Sequence, residues 1–401
     1  MKILLVSQYF WPEAFRINDL AEELNNRGHD ITVLTGKPNY PEGKIYKGYK
    51  LWGYSKEVKN NYKIIRVPLI PRGNATGFRL AINYISYVLF SIIHILFNRE
   101  KYDVTLTFAI SPITQIYPAL VHKKLMGSKS YIWVQDFWPE SVVAAGKTNN
   151  TFVLSVLSKM VRHIYNSVDG ILIQSNAFKN SICKLGDYSD KIHYVPNWAE
   201  DLYSDNRFID YERYMKIIPS GFNIIFAGNI GESQDFDSIL KAAEILKDVD
   251  VNWIIIGDGR KKIEYEQRAI NLGLRKMLFL GRFPVNEMPS FFVHADALLV
   301  TLSDAYIFSL TIPSKLQSYM AFGKPILTML NGVGNTIINQ AECGYTASSG
   351  DYENLATNIL KMSKSTNDEL LRLSNNSSSY YIRNFSKSEI LNNLENILIK
   401  S

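Results

Sequence analysis

A chain of 401 residues with a net charge of +6 and 46 % apolar residues is too long for one core and predicts two domains of roughly 200 residues each. With 20 % charged residues the composition excludes a largely disordered protein. Cys183 and Cys343 stand alone and far apart, which excludes a disulfide scaffold or zinc cluster and suits a reducing compartment.

Residues 2 to 10, KILLVSQYF, read as a buried strand that meets polar Ser7-Gln8 too early for a cleavable signal peptide. The expected location is therefore the cytoplasm. INDLAEELNNRGHD follows at helical spacing and ends at Gly28, and residues 30 to 36, DITVLTG, form the next strand. Between Lys37 and Arg79 ten Lys or Arg stand against two acids, Glu42 and Glu57, and residues 80 to 97, LAINYISYVLFSIIHILF, come directly after. That apolar stretch has three readings: a membrane span, a buried helix, or a helix lying on an anionic membrane surface with the basic run beside it. The basic run also reads as a solvated loop.

YDVTLTF, SYIWVQD and GILIQSN continue the first half. A linker is expected over 199–221, after Pro196-Asn197, where the text turns irregular. The second half repeats the pattern with FNIIFAGNIG from 222, a helix over 237 to 248, VNWIIIGDG from 251, then MLFLGRF, ADALLVTL and KPILTML. Strand and helix in alternation predict an α/β protein of two doubly wound parallel-sheet domains, 1–198 and 222–384; a final helix is expected near 385–401, with packing back on the first domain as one placement for it. Ligands in such sheets sit at the C-terminal ends of the strands, in a cleft that the two domains would face.

GHDITVLT, AGNIGESQDF, IIGDGRKK, FLGRFP and IPSKLQSYMAFGKPI stand in the order found in nucleotide-sugar glycosyltransferases, and the chain resembles glycosyltransferase family 4 over nearly its whole length. QYFWPE, TGKPNYPEGKI and VQDFWPES are similar to the bacterial surface-polysaccharide branch, most closely enzymes transferring N-acetyl-L-fucosamine in O-antigen assembly. The resemblance implies the GT-B fold of two facing Rossmann-like domains. It also implies a UDP-sugar donor in the C-terminal domain, and an acceptor linked to polyprenyl diphosphate in the N-terminal one. Neither a metal cofactor nor nucleic acid is expected, and the implied location is the inner face of the cytoplasmic membrane.

The donor site is expected on Gly228-Asn229-Ile230-Gly231, whose bare N–H groups could face a pyrophosphate at a helix start, and on Gly257-Asp258-Gly259-Arg260. Glycines that merely close two turns are the plainer reading. Family members carry two glutamates where Leu310 and Ser318 stand, and an arginine and a lysine where Asn229 and Gln234 stand. Pro313 opens the helix that holds Lys315 and Ser318, one turn apart on one face. Lys315 and Arg260 are thus expected to supply the missing positive charge, and Ser318 to meet the ribose; a solvated lysine at a helix start is the alternative for Lys315.

Trp11, Glu13, Asn39, Tyr40, Asp136, Trp138 and Glu140 follow three strands of the first half, and aromatics beside carboxylates suit a sugar acceptor. Proline-fixed turns with core aromatics would read the same in each motif alone. Asp136 or Glu13 could act as the base of an inverting transfer, Asp136 first. A retaining transfer, usual in the family, can use the departing phosphate instead. An epimerase of the same fold acting on UDP-GlcNAc and a non-catalytic scaffold of polysaccharide assembly are the competing functions.

Overall fold

Parallel strands need crossovers of a dozen residues or more, and an amphipathic helix after nearly every apolar run supplies them. The computed structural model describes residues 1–144 and 150–400. The chain divides into two units, one of Met1–Val195 with the residues from Leu391 on, the other of Pro196–Ile390.

Unit 1 holds β1 (Lys2–Val6), β2 (Asp30–Gly36), β3 (Ser55–Lys59), β4 (Tyr62–Val67), β5 (Val104–Ala109), β6 (Lys129–Val134), β7 (Gly170–Ile173) and β8 (Ile192–Tyr194). They form one sheet in the order β3-β4-β2-β1-β5-β6-β7-β8, and only β3 is antiparallel to its neighbour. Leu4 on β1 registers with Thr32 on β2 and Thr105 on β5, so the strand order reverses at β1, the position at which such sheets bind ligands. Ile3 to Val6 are all buried, as strands covered on both faces must be. The covering helices are α1 (Ile17–Asn26), α2 (Gly77–Phe97), α3 (Tyr117–Met126), α4 (Glu140–Ala144), α5 (Thr151–Ser167) and α6 (Ala177–Cys183).

Two features depart from the sequence reading. The basic run contains β3 and β4, and Arg66, 0 % exposed, pairs through Nε with Glu57 (2.8 Å) and donates to the backbone oxygens of Gly36 and Trp11. It is a structural cation, whereas Lys56 and Lys63 face solvent.

Helix α2 has its polarity inverted. Its inner face carries Asn83, Ser86, Tyr87, Ser91 and His94, while Phe78, Ile85, Leu89, Ile93, Leu96 and Phe97 are exposed. Asn83 and Tyr87 bond this face into the unit: Gln8 Nε2 donates to Asn83 Oδ1 (2.6 Å), Asn83 Nδ2 to Ile70 O (2.6 Å) and Tyr87 OH to Leu34 O (3.1 Å).

Unit 2 holds β9 (Phe222–Ala227), β10 (Val251–Ile256), β11 (Met277–Gly281), β12 (Ala297–Thr301), β13 (Ile326–Met329) and β14 (Gly344–Ala347), all parallel, in the order β11-β10-β9-β12-β13-β14. Counted within the unit this is 3-2-1-4-5-6, the dinucleotide-fold order with its reversal beside β9. Its helices are α7 (Phe236–Ile245), α8 (Lys262–Asn271), α9 (Met288–Phe292), α10 (Tyr306–Leu310), α11 (Ser314–Phe322), α12 (Val333–Ala341), α13 (Tyr352–Ser363) and α14 (Asn367–Phe385). Asp235 caps α7 by accepting Ser238 N–H (3.4 Å), and Thr366 with Glu369 forms a capping box on α14. Residues 199–221, read above as a linker, are packed into this unit: Ala199, Tyr203, Tyr214 and Ile218 lie in its core, with Tyr203 stacked on Phe292.

The last helix, α15 (Lys387–Lys400), gives unit 1 the buried Leu391, Leu394 and Leu398. Glu395 on it meets Arg27 Nη1 (2.8 Å) and His29 Nε2 (2.7 Å). His29, the residue after Gly28 at the end of α1, belongs to this clasp.

Candidate functional site

In unit 2, β9 turns at Gly228 (φ 151°) and β10 at Gly257 (φ 142°), a backbone region that side chains with a Cβ rarely adopt. Space forbids one as well: a Cβ on residue 257 would lie 1.8 Å from Gly228 O, and one on residue 228 would lie 2.4 Å from Lys315 Cε. The two loops are bonded edge to edge, Gly228 N–H to Ile256 O and Ile230 N–H to Asp258 O, both at 2.8 Å. Those two N–H groups are therefore engaged, contrary to the expectation that the segment 228–231 presents them bare. A short 3-10 turn, Glu232–Gln234, also separates Gly231 from α7. Asp258 Oδ1 accepts Gly259 N–H (2.8 Å), which holds the second turn.

A cavity of about 460 Å³ opens over this floor, with Gly228, Asn229, Gly257, Asp258, Arg282, Lys315, Ser318 and Glu200 in its lining. Pro313, extended at φ −63° and ψ 131°, leads into α11 and stands outside the lining. From the first turn of that helix Lys315 sends its ammonium over the Phe226 ring, 3.9 Å from the centroid, to donate to Gln234 Oε1 (2.6 Å). Burial pushes its pKa down to about 7, because removing a charge from water favours the neutral amine. Where the family resemblance puts a lysine at position 234, the nitrogen of Lys315 here reaches Gln234 from another helix.

One turn along α11, Ser318 Oγ donates to Glu200 Oε2 (3.4 Å). Glu200 is a carboxylate that sequence reasoning missed, because it lies in the stretch taken for a linker. Arg282 was missed too, although an arginine just beyond MLFLG carried the same signal as Arg260. Arg260 itself is exposed and outside the lining, in which Arg282 stands instead.

In unit 1 the expected residues collect at the C-terminal ends of β1, β2 and β6, but several are structural. Glu13, 2 % exposed, accepts Asn39 N–H and Tyr40 N–H on Oε1 (both 2.7 Å) and Phe10 N–H on Oε2 (3.2 Å). Burial raises its pKa against the pull of those bonds, and three amides on two oxygens make a clasp between loops rather than a base awaiting a proton. Asn39, 0 % exposed, donates to Lys37 O (3.0 Å) and accepts Arg72 N–H (3.1 Å); its side chain is committed to the loop, not to an acceptor.

Trp11, Tyr40 and Asp136 remain accessible. Asp136 Oδ2 is oriented by Ser111 N–H (2.8 Å), and Trp138 Nε1 donates to Ser111 Oγ (3.0 Å). Trp138 is buried, so it supports the loop. Glu140 has Oε2 buried without a hydrogen-bond partner among the described residues, and burial raises its pKa. Arg72 and Tyr9 were missed: the Arg72 guanidinium lies 4.8 Å from the Tyr40 ring centroid and 6.0 Å from that of Tyr9. The result is an aromatic and cationic surface with one oriented carboxylate.

Two family models match, Glycosyltransferase Family 4 over residues 15–200 and Glycosyl transferases group 1 over residues 216–379. WcaI of Escherichia coli (strain K12), whose name assigns it to glycosyl transfer in colanic acid biosynthesis, is 26 % identical over 340 residues, 80 % of this chain and 82 % of its own. Among solved structures, sucrose-phosphate synthase from Thermosynechococcus elongatus superposes with a TM-score of 0.78 at 12 % identity, covering 100 % of this chain and 98 % of that one. HepE of Anabaena, solved in complex with UDP, gives 0.74 at 13 %, covering 100 % of both. Two Rossmann-like sheets in one chain, a glycosyltransferase model on each half and a relative of matching length make this protein a glycosyltransferase of the GT-B fold and of the hexosyltransferase type.

Proposed function

We propose that the enzyme transfers N-acetyl-L-fucosamine from its UDP derivative to a saccharide linked to polyprenyl diphosphate, in the assembly of an O-antigen or related cell-surface polysaccharide. The observation that carries the donor half is the unit 2 cavity, where Lys315 and a serine-carboxylate pair stand one helical turn apart. Phosphate oxygens need cations and N–H donors, vicinal hydroxyls need acceptors, and a nucleoside diphosphate carries the two in that order. Lys315 and Arg282 meet the diphosphate, and Glu200 with Ser318 meets the ribose. With that charge supplied by side chains, transfer proceeds without a metal ion.

The choice of sugar rests on the resemblance of QYFWPE, TGKPNYPEGKI and VQDFWPES to fucosamine transferases. The cell-surface setting draws support from the name of the E. coli relative, and the UDP donor from the complex of the Anabaena structure. In unit 1 Asp136 is the base for the acceptor hydroxyl in an inverting reaction; in a retaining one the departing phosphate takes that proton. The exposed apolar face of α2, beside Lys56 and Lys63, rests on the anionic inner face of the cytoplasmic membrane, where a lipid-linked acceptor is held. An epimerase with a soluble substrate has no use for such a face.

The experiment is incubation of the purified protein with a panel of nucleotide sugars and a synthetic prenyl-diphosphate GlcNAc, followed by mass spectrometry of the acceptor and chromatographic separation of the nucleotide sugars, which resolves epimers of equal mass. Extension of the acceptor by one amino-deoxy hexose is expected. Conversion of UDP-GlcNAc without acceptor would establish the epimerase instead, and no turnover of any donor the scaffold.

A further inference from the structure

Unit 1 contains a second cavity, of about 540 Å³, that the donor site does not explain. Its walls are aromatic, formed by Trp11, Tyr49, Trp52 and Tyr54, and two lysines, Lys37 and Lys50, line it as well. Lys37 is 3 % exposed, and its ammonium donates to Ser55 Oγ (2.7 Å), a neutral acceptor. Burial, and then the neighbouring Arg66, push its pKa down. The carboxylate in the same lining, Glu57, is bound to Arg66 Nε at 2.8 Å.

Burying a cation beside a hydroxyl alone is costly, and an anion that follows it into the cavity removes the cost. Two further cations lie over the aromatic groups, Lys59 Nζ 5.2 Å from the Trp11 ring centroid and the Arg66 guanidinium 5.0 Å from that of Tyr49. Two of the lining residues, Trp52 and Tyr54, pack against α2. Trp52 meets the Phe90 ring edge-on at 6.3 Å, Tyr54 OH donates to Phe90 O (3.1 Å), and the Tyr54 ring lies against His94 at 5.6 Å. From there the exposed Leu89, Ile93 and Phe97 continue along the helix. Buried positive charge, aromatic walls and an apolar exit match a molecule that is anionic at its head and hydrocarbon behind it.

We propose that this cavity binds an isoprenoid diphosphate, with the diphosphate on Lys37 and Lys50 and the first isoprene units leaving across Trp52 onto α2. The proposal rests on the lipid-linked acceptor of the proposed function and gives that lipid's head its own site.

The test uses the full-length protein and its intrinsic tryptophan fluorescence, with Trp11→Phe and Trp52→Phe variants to assign the signal. Geranyl diphosphate should quench it at a concentration at least about tenfold lower than inorganic diphosphate or geraniol, since each of those carries half of the recognition. Lys37→Met should weaken that binding about tenfold or more while UDP binds as before, and a thermal melt no lower than that of the wild type shows its unit 1 to be folded. Lys50→Ser, on the surface, should weaken it in the same direction. Equal quenching by inorganic diphosphate would reduce the site to a phosphate site, and unchanged binding in both lysine variants would overturn the proposal. Failure of the donor and acceptor assignment reads differently: no sugar panel member would be transferred, whatever geranyl diphosphate does.

Discussion

Gly228 and Lys315 compete for one space: a Cβ added at residue 228 falls 2.4 Å from Lys315 Cε and 2.6 Å from its Nζ. The lysine reaches Gln234 only because residue 228 has no side chain. Gly228→Ala and Lys315→Ala should therefore each weaken UDP binding about tenfold, the scale of one charge-assisted phosphate contact. The double variant should be no weaker than either single one. Calorimetric titration with UDP decides, and additive losses would mean that the two residues act apart.

Lys315 also predicts a pH dependence. In the free protein its pKa is lowered to about 7 from the usual 10.5, so between those values the folded protein carries the neutral amine and the unfolded chain the charged one. Stability from this group rises with pH across that window. Lys315→Met should accordingly raise Tm most at and below pH 7, and progressively less toward pH 10. Binding a diphosphate reverses the preference, so UDP titrated at pH 8.5 in buffers of different ionisation enthalpy should take up about one proton, and at pH 6 almost none.

Glu200 and Ser318 can be tested by subtraction from the ligand. Wild-type protein should bind UDP about tenfold more tightly than 2′-deoxy-UDP, the order of one hydrogen bond to a charged group. Glu200→Gln should lose most of that discrimination and leave affinity for inorganic diphosphate unchanged. Preserved discrimination in the variant would place the ribose elsewhere.

Glu13 and Asp136 should separate in kinetics. Glu13→Gln sets an amide donor against one of three backbone N–H groups, so its effect should be a lower Tm, with turnover per folded molecule reduced less than about tenfold. Asp136→Asn should leave Tm within about a degree and lower kcat about a hundredfold, the low end for a lost general base. A smaller loss at Asp136 would assign the proton to the departing phosphate.

For membrane attachment, Lys56→Gln with Lys63→Gln should release the protein from anionic vesicles at low salt, each lysine contributing about 1 kcal/mol. Leu89→Gln with Ile93→Gln should release it at any salt. Arg66→Gln is a different experiment, because it strands Glu57 and should cost about 3 kcal/mol of stability. Co-sedimentation and thermal melts together distinguish these effects.

Strands that are buried on both faces announce themselves as apolar runs, which is why β1, β2, β9, β10, β12 and β13 were legible with short errors at their ends. β3, with the sequence SKEVK, was not: an edge strand faces water and is protected by lysines, so its text looks like a charged loop. The site divided in the same way. Gly228, Gly257 and Lys315 could be read because glycines at strand ends and a lysine at a helix start have local causes. Glu200 could not, since its role depends on a loop returning beside Ser318 from 118 positions earlier in the chain. Glu13 and Asn39 were misjudged for a related reason: a polar residue beside an aromatic at a strand end looks the same whether it points at a ligand or at its own backbone.

The clasp of Glu395 on Arg27 and His29 makes unit 1 discontinuous in sequence, and that bears on how the protein comes into being. A ribosome finishes residue 195 long before Leu391, Leu394 and Leu398 exist, so the emerging first unit waits with the seats of three leucines uncovered while all of unit 2 is made. Unit 2 is continuous and can fold as it emerges. The enzyme therefore cannot be divided into halves by cutting after Val195. A fragment ending there should be poorly soluble, and supplying residues 387–401 as a separate peptide should restore it.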